Sequence, residues 1–185
     1  VAIEAPAGPG DVVLVQGTGG VSIFALQFAK ARGANVIVTS SSDEKLARAR
    51  SLGADHGINY KTTPDWAARA RELTGGKGVD VVVEVGGENT FHRSLDAVRV
   101  GGAIVVIGVL GGFSTPVSIP VVFAKNLHIH GISVGSREQF DDMCAHIAKW
   151  KLKPVIGRSF GFGEVPDALK LMQSGGHFGK IAVTY

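Results

Sequence analysis

The sequence is poor in the features that mark several protein classes. It has one cysteine, Cys144, in 185 residues, too few for an internal disulfide or a thiolate metal cluster and in keeping with a reducing compartment. Long hydrophobic runs are missing: the longest stretch without polar side chains, residues 100–113, falls short of the ~18 residues a membrane span requires. Charge of one sign is scarce too. Nineteen Lys and Arg against 16 Asp and Glu leave a net charge of +3, and the basic residues are spread out apart from short groups at 45–50 and 149–153, so no nucleic-acid surface is implied. No basic-then-apolar leader opens the chain, and position 1 is Val rather than Met, so the first residue is not read as a natural start. These absences predict a cytoplasmic chain with neither a membrane nor a nucleic acid as partner.

Glycine is what the sequence has in excess, at 26 of 185 residues, about twice the usual ~7%. Hydrophobic residues make up 45%, enough for a sizeable core and too many for disorder. The glycines punctuate an alternation of short β-branched runs and longer amphipathic stretches, the pattern of successive βαβ units. Residues 11–16 form a strand ending in glycines, and 21–31 a helix with Val21, Phe24, Ala25 and Phe28 at helical spacing. Residues 35–39 are the next strand; Ser41 with Glu44 reads as a capping box for a helix to Arg50. Residues 58–60 are a short strand, and Thr63-Pro64-Asp65 opens a helix to Thr74 with Pro at its first position. Residues 79–85, whose Val81, Val82 and Val83 leave no polar face, and the all-apolar 103–107 are strands of the kind covered by helices on both faces, separated by a helix over 89–98 and a turn at Gly101-Gly102. A sixth strand, 127–132, precedes a helix over 137–150. The fold class expected is therefore α/β, a doubly wound parallel sheet of Rossmann type, with its ligand site at the carboxyl ends of the strands. Residues 1–153 form this domain. Residues 154–185 leave the alternation and read as two extended segments around a helix at 165–173.

Gly17, Thr18, Gly19, Gly20 and Val21 stand between the first strand and the first helix, the context that separates a dinucleotide fingerprint from a chance glycine cluster. Gly17 permits the tight turn, Gly19 allows backbone to approach a pyrophosphate, and the helix aims its free N–H groups at the phosphates. Ser22 stands where the third glycine of the fingerprint belongs, which predicts a slightly shifted helix and an unblocked phosphate site. A methyltransferase nucleotide site would want glycine at Val21 and an acid ending the second strand. Neither is present. An NAD site also wants that acid, to bond the ribose 2′-hydroxyl. This chain has Ser40 there, followed by Ser41 and Ser42, which can donate to a 2′-phosphate, and Lys45 can reach it from the next helix. NADP is therefore expected over NAD; the counter-reading gives Asp43 the acid's role.

Other residues have competing readings. His128 and His130 project to one face of a strand but lack a third ligand, so no metal site is assigned. Cys144 reads as a small core residue. Glu84, ending an apolar strand, either lies beside a cofactor or reaches solvent. His177, in the last glycine turn, is expected to be exposed.

Taken in order, the landmarks Gly8 to Asp11, Gly17 to Val21, Lys45-Leu46, Leu52-Gly53-Ala54-Asp55, Ile58-Asn59-Tyr60, Gly78 to Val81, Glu84 to Gly87, Ile107-Gly108 and Gly175 to Lys180 resemble the medium-chain dehydrogenase/reductase superfamily. The match is to the cofactor domain of its zinc-type alcohol dehydrogenase-like and quinone oxidoreductase-like proteins. The resemblance implies that Val85, Gly86, Ile107, Gly108 and Val109 lie beside the cofactor, that Tyr60 joins Lys45 on the 2′-phosphate, and that Lys180 meets the pyrophosphate. It implies an NADP(H)-binding domain of an oxidoreductase moving a hydride between the nicotinamide and an alcohol or carbonyl, a quinone or an activated alkene. No residue claims a catalytic role. By the same resemblance the small-molecule substrate, and zinc if any, belong to a separate N-terminal catalytic domain. Residues 154–185 return towards that domain, leaving Phe160, Phe162 and Val165 partly exposed, and the strand at 127–132 pairs across a homodimer. A non-catalytic NADP(H)-sensing or structural domain is the alternative, since one fold hosts many functions.

Overall fold

The computed structural model describes residues 6–185. Six strands make one parallel sheet in the order β3-β2-β1-β4-β5-β6: β1 Val12–Gln16, β2 Asn35–Ser40, β3 His56–Asn59, β4 Val79–Glu84, β5 Val98–Val106 and β6 His128–Gly131. The doubly wound expectation is met. Strand alternation explains the layers: Val13 and Val15 of β1 join one core cluster with Ile23, Leu26, Val36, Val38 and Leu46, while Leu14 joins Ile37, Trp66, Val82, Leu95 and Ile104 on the other. Helices α1 (Gly20–Ala31) and α2 (Asp43–Ser51) thus cover one face. Helices α3 (Trp66–Leu73) and α4 (Phe91–Ala97) cover the other. The two windings part between β1 and β4, the switch point at whose carboxyl ends doubly wound sheets hold ligands in a crevice.

Several local expectations shift. The cap of α2 is Ser42, whose side chain accepts from Lys45 N, rather than Ser41 with Glu44. Asp65 caps α3 through Ala68 N, so Pro64 lies before the helix instead of at its first position. The helix predicted over 89–98 is a 3-10 turn at Gly87–Asn89 followed by α4, and Val98 already belongs to β5. The expected turn at Gly101-Gly102 is a wide bulge inside that strand, where Val79 faces Val98 and Val81 faces Ala103. A short helix, α5 (Ile119–Ala124), had no counterpart in the sequence reading. Cys144 is exposed, not in the core.

Helix α6 (Arg137–Trp150) opens with a capping box in which Ser136 and Gln139 satisfy each other's backbone. None of its residues is buried, and Phe140 is 53% exposed. Between it and α1 lies a cavity of about 650 Å³ lined by Phe24, Phe28, Met143 and Trp150 among others. Beyond α6, β7 (Ile156–Gly161) and β8 (Lys180–Thr184) form a separate two-stranded parallel sheet joined by α7 (Val165–Gln173). Phe160 is buried there, contrary to expectation, while Phe162 is 71% exposed and Val165 half-buried. No helix among the described residues is long and apolar enough to cross a membrane.

Candidate functional site

The glycine turn is built as its sequence implies. Gly17 has φ +74, a left-handed conformation that suits glycine, and Gly19 caps α1 with its carbonyl accepting from Ile23 N at 3.0 Å. Ser22 lies buried in the first turn of α1. Its buried hydroxyl donates to Gln16 O at 2.5 Å, so the position of the missing third glycine ties α1 to the end of β1. Val21 is exposed on the first turn of the helix.

The C-terminal segment completes this turn. Gly179 N donates to Thr18 O at 2.9 Å, forming an isolated parallel bridge between Gly19 and Gly179. The next residue, Lys180, lays its side chain over the start of α1: a Cβ on Gly20 would stand 2.9 Å from Lys180 Nζ. A cation is therefore held over a helix N-terminus, where unpaired N–H groups and the dipole already favour an anion. Lys180 and the glycine turn, distant in sequence, form one cradle whose donors fit a pyrophosphate.

At the end of β2, Ser40 is buried while Ser41 and Ser42 are half-buried. Asp43 is engaged from the side, accepting from Asn59 Nδ2 at 3.0 Å. Lys45 Nζ donates to Gly175 O at 2.8 Å, so this ammonium is tied to the C-terminal turn at the rim of the serine cluster. Tyr60 is exposed just beyond β3. These residues share one end of the sheet, but Lys45 and Tyr60 are not bonded to each other.

The opposite side of the crevice is formed by the ends of β4 and β5. Ile107 N and Gly108 N donate to Glu84 O at 2.9 and 3.3 Å, and Leu110 N to Val85 O at 3.2 Å. This lays Ile107, Gly108 and Val109 along Val85 and Gly86. Gly108 is needed for the approach, since a Cβ there would stand 2.7 Å from Val85 O. Glu84 does not reach solvent. It is fully buried and points inward, where its carboxylate accepts from Gln16 Nε2, Ser94 Oγ, Thr90 Oγ1, Gly86 N and Gly87 N. Gln16 Oε1 accepts in turn from Val85 N at 3.1 Å. Sequence reading missed this network. Its signal was a polar residue closing each of two apolar runs, Gln16 and Glu84.

His128 and His130 stack with ring centroids 6.2 Å apart. Among the described residues no three His, Cys, Asp or Glu side chains gather as a metal site. His177, expected to be exposed, is half-buried against the glycine turn.

Comparison with known proteins bears on what this cradle is for. The sequence profile described as zinc-binding dehydrogenase matches residues 20–149. The chain belongs to that family. Its motif resemblance to medium-chain dehydrogenases/reductases is thus borne out. A zinc-type alcohol dehydrogenase-like protein of Schizosaccharomyces pombe is 46% identical over 179 residues, covering 95% of this chain and 52% of the relative. The crystal structure of an NAD-dependent alcohol dehydrogenase matches with a TM-score of 0.92 and 36% identity, covering 100% of this chain and 54% of that one. A mycobacterial protein solved in complex with NADPH matches at 0.84 and 27% identity, covering 97% of this chain and 59% of that one. The chain spans about half the length of these relatives.

Proposed function

We propose that the chain is the NADP(H)-binding domain of an oxidoreductase that moves a hydride between the nicotinamide and an alcohol or carbonyl, a quinone or an activated alkene. The observation that carries this reading is the cradle at the start of α1, where Gly17 to Gly20 and Lys180 present backbone donors and a cation to one point. The nicotinamide, when bound, supplies or takes the hydride; the protein contributes position and electrostatics. Gly17 to Val21 and Lys180 hold the pyrophosphate. Val85, Gly86, Ile107, Gly108 and Val109 offer backbone to the nicotinamide half. Ser40, Ser41, Lys45 and Tyr60 receive the 2′-phosphate.

The preference for NADP(H) over NAD(H) is supported by chemistry at the end of β2. A serine cluster stands where an NAD site needs a carboxylate, and Asp43 is already bonded to Asn59 in the first turn of α2. Lys45 must release or share Gly175 O to serve the phosphate. Substrate, and zinc if the enzyme uses it, are assigned to a separate catalytic domain, to which residues 154–185 also belong in part. The 185-residue chain is thus expected to bind cofactor without turning over alcohols or quinones.

Titration of the chain with NADPH and NADH, followed by fluorescence or calorimetry, tests the reading. NADPH should bind more tightly, and Lys45→Ala should weaken NADPH more than NADH, which loses only the anchoring of the C-terminal turn. Equal or tighter NADH binding overturns the preference, and cofactor-dependent turnover above a Gly19→Asp control overturns the division of labour.

A further inference from the structure

Three contacts fix the C-terminal glycine turn over the cradle. Lys45 Nζ holds Gly175 O at 2.8 Å, Gly179 N holds Thr18 O at 2.9 Å, and Phe178 between them is buried with the Arg48 guanidinium 4.2 Å above its ring. His177 is carried between these anchors and has little freedom to leave. Its Nε2 faces Gly19, 4.0 Å from where a Cβ on that glycine would stand. Its Nδ1 is enclosed and has no hydrogen-bond partner. With Nδ1 closed off, Nε2 is the nitrogen left to bond a ligand, and it faces the turn whose backbone donors already favour an anion.

We propose that His177 is a cofactor-binding residue, its imidazole donating to the dinucleotide pyrophosphate seated on the glycine turn while Lys180 meets the same group over Gly20. This rests on the dinucleotide reading above and adds a contact to it. The site assigned is the pyrophosphate and not the 2′-phosphate, because His177 faces Gly19 whereas Ser40 to Ser42 close the other strand. Removing His177 therefore weakens every ligand that carries the pyrophosphate by a similar factor and spares ligands that lack it. Lys180 on β8 and Lys45 and Arg48 on α2 contact this turn, and the carboxylates Asp43 and Glu44 stand in the first turn of α2. The three side chains in contact with the turn are cations, and they reinforce the imidazole's role towards an anion.

The experiment measures dissociation constants of NADPH, NADH, ADP-ribose and adenosine 2′-monophosphate for the chain and its His177→Ala and His177→Gln variants. Side-chain 15N spectra of the histidines are recorded with and without ADP-ribose, and His177 is assigned from the signals the Gln variant loses. The expected result is about a three- to tenfold weakening of the first three ligands in His177→Ala. Adenosine 2′-monophosphate should be unchanged, and ADP-ribose should shift the His177 nitrogens. Unchanged affinities in both variants with unshifted nitrogens overturn the proposal. An equal loss for adenosine 2′-monophosphate also overturns it, because the histidine then only holds the C-terminal turn in place. Should the Ala variant not fold, the Gln variant carries the same comparison. If the parent chain binds none of the dinucleotide ligands, the underlying dinucleotide reading fails as well, which the parent titration alone reveals.

Discussion

Asp80 and Glu84 stand near opposite ends of β4 and are held by opposite means. Glu84 is surrounded by hydrogen-bond donors with no cation among them, whereas Asp80 is paired with Arg99 and also accepts from Val12 N at 2.8 Å. Burial pushes the Asp80 carboxyl up, but the Arg99 hydrogen bond, the Val12 N–H and the charges of Arg99 and Lys77 outweigh it and hold the group below its ordinary range. A carboxyl depressed by folding stabilises the fold above its unfolded pKa of about 3.9, and that contribution is lost as pH falls through the lower folded value. Acid unfolding of the chain should therefore gain a component below about pH 4 that Asp80→Asn removes. At neutral pH the same substitution should cost about 1–3 kcal/mol in denaturant unfolding, because Arg99 loses its partner. An unchanged acid profile in the variant counts against this assignment. At this scale the sequence was readable where a residue's role follows from its neighbours in the chain. Gly17 and Gly19 qualify, since strand, turn and helix adjoin. Glu84 and His177 do not, because the partners that define them, Ser94 and Gly19, come from other elements, and Lys180, whose partner Gly20 is equally distant, was reached only through the family resemblance.

Helix α2 shows how far capping chemistry can be read in advance. Three serines in a row, Ser40 to Ser42, all suit an N-cap, and only the backbone decides: Ser42 is extended, with φ −141 and ψ 127, and the helix starts at Asp43. Ser42→Ala should lower stability by about 0.5–2 kcal/mol, towards the lower bound because its bond to Lys45 N is 3.3 Å. Ser41→Ala should change stability little. The melting temperatures of the two variants check the order. Strands were legible because β-branched runs recur between glycines, and α6 and α7 because their apolar spacing is regular. The bulge in β5 was not, since register depends on the neighbouring strand, and α5 was not, since its six residues are too few for a period to show. Strand β6 is an edge of the sheet, bonded to β5 alone, with Ile129 40% exposed. An unprotected edge invites pairing, so a dimer through β6 is expected. Ile129→Lys should shift sedimentation towards monomer; a parent chain that stays monomeric at high concentration argues against the pairing.

For the molecule as a whole, the question is what joins the C-terminal segment to the sheet. Phe178 inserts into the core cluster of β1, β2, α1 and α2, and the bonds from Gly179 and Lys45 flank it. Phe178→Ala should destabilise the chain by about 3–5 kcal/mol. It should also weaken NADPH at temperatures where the chain remains folded, because Lys180 and His177 lose their anchor. Full retention of cofactor affinity would show that the cradle does not depend on this insertion. The cradle is also a matter of timing. Its two halves are made far apart: Lys45 and its partner Gly175 are separated by 130 residues, which at ~5–20 residues per second delays the second half by on the order of ten seconds. For that interval a growing chain has its glycine turn and its first helices but neither Lys180 nor the residues that cover the turn, so the cradle closes only once residues 175–180 have been made.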